Sequence, residues 1–339
     1  MDPLTHTLVG ANLSATRLGE KTRFAAFALI AGANLPDVDA ILYFGGDSDF
    51  ALGFRRGWTH GILALAVLPF LQTALLLLAD RLRPHATKRA NARWLLSLST
   101  IAVWTHPALD WLNTYGMRWL MPFDGTWFYG DSVYIMDPWL WLILGAGWLI
   151  GRRATVYTVG AWAVFGFLIA RVVARRSPEY LVVIGIVAAV LLIALLVRPF
   201  RTRQFATGAL IVAALYIGAR LGIHHLTVRA VSRQLTAERL MVGPHPLYPT
   251  RWNVLAQTRD AYRYGEYRWG HGLTLDEEAV PVPKDTPEYR AALQHPSVRG
   301  LVTWLRFPAY TIERTPNGTR VHLWDARRRG GTPRVVTLN

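Results

Sequence analysis

The sequence predicts a mainly α protein: a polytopic transmembrane helical bundle of about six to eight membrane segments, with a small C-terminal α+β extracytoplasmic domain. Three observations carry that reading. Long apolar runs dominate residues 60–225, each near the ~20 residues a helix needs to cross a bilayer. The gaps between the runs are rich in Arg and Lys, which anchor and orient membrane segments. Residues 226–339 instead read as a polar globular segment, so the chain divides into a membrane domain over 1–225 and a soluble, β-containing domain over 226–339.

Averages hide this division. The chain is 52% hydrophobic over 339 residues, little above the about 45–50% of soluble domains, so the distribution is the signal. There is no cysteine. Thiolate zinc sites, disulfides and cysteine nucleophiles are excluded, and any metal must sit on His, Asp, Glu or backbone oxygen. A net charge of +15 would suit nucleic acid, but its placement between apolar runs assigns it to membrane anchoring. No nucleic-acid partner is expected.

In chain order, residues 2–18 form a weakly apolar stretch holding His6, a candidate short helix dipping into the membrane. Met1 to His6 lack the basic start of a signal peptide, so the segment is expected to be retained. Arg17, Lys21 and Arg23 follow. The apolar run Phe24 to Leu35 is interrupted by Pro36, Asp37 and Asp39 before it resumes over 40–44. A helix broken at bilayer depth survives where protein or water satisfies the freed backbone groups, so this one is expected to line a cavity.

Spans are expected at about 60–79, 95–114, 135–150, 154–173, 180–198 and 204–223. The basic loop 81–93 (Arg81, Arg83, Lys88, Arg89, Arg93) falls in the cytoplasm by the positive-inside rule. The loop 115–134, with Arg118 against Asp124 and Asp131, then falls outside, as does the tail. Arg171, Arg175 and Arg176 fall outside against the rule. In the tail, 251–269 reads as strands, 286–294 as a short helix and 309–325 as a hairpin turning at Asn317-Gly318. No internal repeat is visible.

This topology collects polar groups at one level: His6, Asp37, Asp39, His60, His106 and Asp110, with Asp131 and Asp137 in or beside an outer loop. Imidazoles and carboxylates are costly in or beside hydrocarbon, which makes them functional candidates. His106 and Asp110, four apart, share a helix face and reach one ion, with Pro107 starting or kinking that helix. Asp37 and Asp39 diverge on a helix and share a face only in an extended stretch. A lone His60 at a span end is an ordinary interfacial residue; the joint pattern is what points to metal. These nitrogen and oxygen donors suit Zn²⁺, Mn²⁺ or Fe²⁺. One catalytic zinc takes about three protein ligands, so six suggest two ions about 3.5–4 Å apart. Asp131 and Asp137 read equally as extra ligands, partners orienting imidazoles, or plain loop acids. His224-His225 reads as interfacial.

His6, Leu35-Pro36-Asp37-Val38-Asp39, Arg56-Gly57-Trp58-Thr59-His60 and Thr105-His106-Pro107-Ala108-Leu109-Asp110 together resemble the YdjM-type (LexA-regulated inner-membrane) family of membrane-bound, metal-dependent hydrolases. Asp137-Pro138 and the tail segment Pro246 to Asn253 extend the resemblance over most of the chain. It implies metal-ligand roles for His6, Asp37, Asp39, His60, His106 and Asp110. In motif style the family is distantly similar to zinc-dependent phospholipase C and P1-type nucleases, which use more His ligands and a Glu with no counterpart here.

The function expected is metal-assisted hydrolysis, at the outer face of a bacterial or archaeal cell membrane, of a phosphoester in a lipid or lipid-linked substrate. Asp39 and His106 are the candidate catalytic groups, with Arg56 or its neighbour Arg55 holding a phosphate oxygen. Zinc is the expected cofactor, Mn and Fe being the alternatives. The rival reading is a metal-ion or proton carrier using the same cluster. Carriers place their sites near the midplane between repeated halves, whereas here the polar groups gather at one side.

Overall fold

Asp2 starts the first helix. Its carboxylate accepts from the Leu4 and Thr5 amides, and Pro3 fills a first-turn position whose amide has no helical partner, so α1 runs Pro3–Ala15. The computed structural model describes residues 1–82, 89–149, 202–316 and 318–338, with isolated positions 160, 185 and 189. α2 (Ala25–Gly32) packs on α1 where Gly10 lets the chains close: a Cβ there would lie 2.6 Å from the Leu29 carbonyl oxygen. Pro36 then ends regular helix, and a 3₁₀ segment over Leu35–Gly45 leaves α2 at a bend of 51°.

α3 (Ser48–Phe54), capped by Asp47, leads through a tight turn into α4 (Ile62–Arg81). Asn91 caps α5 (Ala92–Trp111), which returns antiparallel to α4. Leu29, Leu76, Leu95, Leu98 and Ala102 form the core between α2, α4 and α5. Asp137 caps α6 (Pro138–Leu149), and α7 (Thr202–Gln234) packs along α1 and α6. The Asn12 amide ties this layer together by donating to both the Leu8 and Leu144 carbonyls, at 2.8 Å each.

Among the described residues, two helices are long and apolar enough to cross a membrane, Ile62–Arg81 and Arg203–Gln234, or three if the bent pair over 25–45 is one crossing. That is fewer than the six to eight expected. The stretch at 95–114 forms α5 at full length but is too polar to count by hydropathy, and the one at 135–150 shows 12 helical residues, Pro138–Leu149, up to the end of that described segment. The spans expected at 154–173 and 180–198 lie outside the described residues.

α7 runs on past His225 to Gln234, and the chain then becomes β-rich. β1 (Arg239–Pro244), β2 (Arg251–Gln257), β3 (Ala261–Arg268) and β4 (Gly272–Pro281) form an antiparallel sheet in chain order. α8 (Pro287–Gln294), a 3₁₀ turn and α9 (Arg299–Trp304) lead to a second antiparallel sheet of β5 (Pro308–Thr315), β6 (Gly318–Asp325) and β7 (Arg334–Leu338). The hairpin predicted from alternation is β5–β6, with Tyr310 opposite Leu323 and Ile312 opposite Val321; Asn317 lies outside the described residues.

The tail docks at the end of the bundle that carries the α3–α4 turn. Asp49 accepts from the Gly300 and Leu301 amides at 2.6 and 2.9 Å. Arg306 forks onto Asp131 at 2.9 and 2.7 Å. Arg327 donates to the Thr114 carbonyl at 2.8 Å and Trp127 to that of Thr303 at 2.7 Å. Val242, Trp252 and Val254 of the first sheet bury against Val231 of α7, so the tail is held on two sides.

Candidate metal centre

α5 sets the first two donors. His106 and Asp110 lie one turn apart on its buried face, both with no solvent exposure, and Pro107 sits inside the helix without ending it. His60 comes from the α3–α4 turn, where its amide and that of Gly61 both donate to the Gly57 carbonyl. The turn is entered through Arg56 at φ 53°, a left-handed conformation that costs on the order of 1 kcal/mol for a side-chain-bearing residue. Its amide donates to Asp39 Oδ2 at 3.2 Å, which fixes the turn against the 3₁₀ segment. Asp37 enters from that segment.

One ligand atom from each of Asp37, His60, His106 and Asp110 falls within 4.8 Å of all the others. His60 Nε2 is 3.2 Å from His106 Nε2, and each lies 3.3 Å from Asp110 Oδ2 and 3.7 Å from Asp37 Oδ1. Bonds of about 2.0–2.1 Å to one tetrahedral ion place neighbouring donors about 3.3–3.4 Å apart. The five separations sit on or just outside that spacing.

Proton placement sharpens the fit. His106 Nδ1 must donate to the Ala33 carbonyl at 2.7 Å, which leaves Nε2 as a bare acceptor in the neutral ring. The Thr59 hydroxyl donates to Asp39 Oδ2 at 3.0 Å, so it accepts from His60 Nδ1 at 2.9 Å. His60 Nε2 is then bare as well. Two lone pairs and a carboxylate oxygen face one point, and Asp110 Oδ2 has no hydrogen-bond donor despite complete burial. The Met1 ammonium and Arg56 both stand on the other oxygen, Oδ1, so the point faced by Oδ2 and the two imidazoles is one where a cation would be stabilised. A group of this composition could hold a divalent metal, and its donors suit zinc among others.

Asp39 and His6 stand beside these four atoms. Asp39 Oδ2 lies 3.5 Å from His60 Nδ1, on the far side of the ring from the convergence point. Asp37 and Asp39 therefore approach His60 from opposite sides, because a 3₁₀ turn, rather than an extended stretch, separates them. The His6 ring stacks on His106 with centroids 3.7 Å apart, and its Nε2 is 3.3 Å from the other oxygen of Asp110. His6 Nδ1 is buried without a partner.

The two arginines part ways. Arg56 is 2% exposed, and its guanidinium is taken up by the Asp110 carboxylate, the Asn113 side chain and the Met1 and Gly116 carbonyls. It lies 4.7 Å over the Tyr115 ring, whose phenol burial pushes up to about 12 and so keeps neutral. Arg55 is 18% exposed, donates to Asp37 at 2.9 Å and faces the Tyr43 ring. Asp131 is paired with Arg306, and Asp137 caps α6 while accepting from the Tyr216 hydroxyl at 3.0 Å. Neither reaches the cluster. Asn113 and the Ala33 carbonyl carry no signal in the sequence, whereas Thr59 stands in the motif next to His60 but its bonds to Asp39 and His60 appear only in the fold.

The profile of the family described as YdjM inner membrane protein matches residues 1–178, the segment that holds every donor above. No curated protein and no solved structure matches the chain.

Proposed function

The chain belongs to the YdjM inner membrane protein family, and from that premise we propose that it is a membrane-bound, metal-dependent hydrolase that cleaves a phosphoester in a lipid or lipid-linked substrate. The observation that carries this reading is the convergence of two bare imidazole nitrogens and two carboxylate oxygens on one buried point. His60 lies two residues before Ile62, the start of the apolar helix α4, which supports a site at a membrane face with a lipid headgroup within reach.

A divalent ion held by Asp37, His60, His106 and Asp110 supplies Lewis acidity and makes water nucleophilic near neutral pH. The chain's own groups do the rest. Asp37 is the least buried of the four, at 10% exposure, and marks the side from which substrate and water arrive. Asp39 Oδ1 is buried without a hydrogen-bond partner, 4.0 Å from Arg55 Nη1, and we assign Asp39, on the Nδ1 side of His60, to hold that imidazole in the orientation that turns Nε2 toward the ion. Arg55, partly exposed beside Asp37, is the cation we assign to hold a phosphoryl oxygen. Arg56 is spent on the Asp110 carboxylate and backbone carbonyls, so its role is to hold Asp110 in place.

The basic loop at 81–93 assigns the site and the tail to the outer face in this proposal. Because the chain has no cysteine, single cysteines placed at Thr126 and Arg93 report the orientation by labelling with a membrane-impermeant maleimide. The function is tested by incubating purified protein with a panel of phospholipids and measuring released phosphate or headgroup with zinc, manganese or no metal. Hydrolysis that requires metal and disappears in His106→Ala supports the reading. Metal flux into liposomes with no hydrolysis supports the carrier instead.

A further inference from the structure

The broken helix between α1 and α3 is pinned to α4 and α5 at both of its ends. At its start the Arg23 guanidinium pairs with Asp80 in the last turn of α4, and the Thr22 hydroxyl accepts from the amide of Asn91, the cap of α5. At its other end Asp39 accepts from the Arg56 amide and the Thr59 hydroxyl, just ahead of the first residue of α4. The pair therefore climbs from the last turn of α4 to its beginning. Taken together, α2 and the 3₁₀ segment also have the length and apolar content of a membrane crossing, despite the bend of 51°.

Beyond the bend, the 3₁₀ segment turns apolar side chains outward. Such a helix completes a turn every three residues, so positions i, i+3 and i+6 stand in one line. Val38, Ile41 and Phe44 form that line, and they are 52%, 66% and 90% exposed. Pro36 and Asp39, on a second line, are buried. The usual amphipathic order is thus reversed: a carboxylate points inward and hydrocarbon points outward. The segment packs on α4, whose first turns also present exposed apolar groups at Ile62, Leu63 and Val67. After Phe44 the chain turns through Gly45 and Gly46 to Asp47 and Ser48, which are polar and exposed.

We propose that the 3₁₀ segment lies in the interfacial layer of the bilayer, with Val38, Ile41 and Phe44 immersed in acyl chains beside the first turns of α4. The occupant follows from continuity: the row extends the apolar surface of a helix long enough to cross a membrane, and no side chain in it can donate, accept or carry charge. A protein partner needs about 800 Å² on each side, whereas this row is one side chain wide. The adjacent line of the segment carries Asp37, so the lipid boundary runs beside the open side of the metal centre. The proposal holds whether or not a metal binds there or a substrate is cleaved.

Depth-resolved quenching tests it. Because the chain has no cysteine, Ile41→Cys and Phe44→Cys each carry a single bimane probe in the full chain, reconstituted in phosphatidylcholine vesicles. Thr126→Cys, in an exposed loop, gives the aqueous reference, and Leu71→Cys, in the middle of α4, the deep one. With iodide on both sides of the membrane, the probes at 41 and 44 should lose the quenching seen at 126. Nitroxide-labelled lipids should place them about 5–10 Å below the headgroups, shallower than the probe at 71. Both replaced side chains are exposed, so the variants should melt with the unmodified chain, and each position is read independently of the other. Iodide quenching at 41 and 44 equal to that at 126 overturns the proposal. So does a disulfide between copies of Ile41→Cys without nitroxide quenching, which would assign the row to a second chain.

Discussion

Arg56 grips Asp110 at both ends: its guanidinium stands 3.1 Å from the carboxylate and 3.3 Å from the same residue's backbone oxygen. The charge is buried and its partners are fixed in a fork that an ammonium cannot reproduce. Arg56→Lys should therefore destabilise the protein by about 3 kcal/mol, the scale of a broken buried pair. Arg55→Lys, at a partly open and screened position, should cost less than about 1 kcal/mol. Thermal unfolding of the solubilised variants decides it; equal losses would mean that Arg56 does not organise the site.

Metal should stabilise the fold. With four donors preset around one point, titration with zinc should saturate near one ion per chain and raise the melting temperature. An ion at a thousandfold excess over its Kd adds about 4 kcal/mol. Only neutral imidazoles bind, so affinity should fall as the pH is lowered. Chelation should reverse the shift, and His106→Ala should abolish it. Calorimetry that finds no saturable binding would remove the centre.

Asp39 touches His60 Nδ1 and the Thr59 hydroxyl, so it would act on a metal at the centre only through the His60 ring. Loss of such a partner typically lowers metal affinity about 10–100-fold without eliminating it. Asp39→Asn should show that partial loss by competitive chelator titration, whereas Asp37→Ala should lose binding outright. Identical behaviour of the two variants would place Asp39 among the direct donors.

The tail is held by a close backbone approach. A Cβ on Gly53 would lie 2.8 Å from the Gly300 Cα, and one on Gly300 would fall on the Asp49 carbonyl. Gly300→Ala should spring α9 from α3, seen as faster proteolysis of the tail, while Thr303→Ala, which is exposed, should not. Equal resistance of both would mean that this contact does not hold the domains together.

Parts of this were legible from one strand of sequence. The His106–Asp110 spacing needed only helix geometry, and the β5–β6 pairing only alternation. The break at Pro36 followed from its missing amide. What local pattern could not decide was the division of labour between Asp37 and Asp39: which one meets Nε2 of His60 and which meets Nδ1 depends on a 3₁₀ twist and on a residue 20 positions downstream, Thr59. The choice between Arg55 and Arg56 was equally hidden, because it rests on the left-handed turn at Arg56 that sends one side chain inward and its neighbour outward. The stretch expected to span at 95–114 does form a 20-residue helix, α5, whose hydropathy is lowered by Arg93 and several hydroxyls together with His106 and Asp110, the two residues it gives to the centre.

The donors enter the centre from the 3₁₀ segment, the α3–α4 turn and the far end of α5. During biosynthesis a nascent chain that stops short of α5 offers only Asp37 and His60, too few to retain zinc against cellular competitors. For a metal held by these four donors, loading would therefore wait until the α4–α5 hairpin has closed, and metal content would then report that closure.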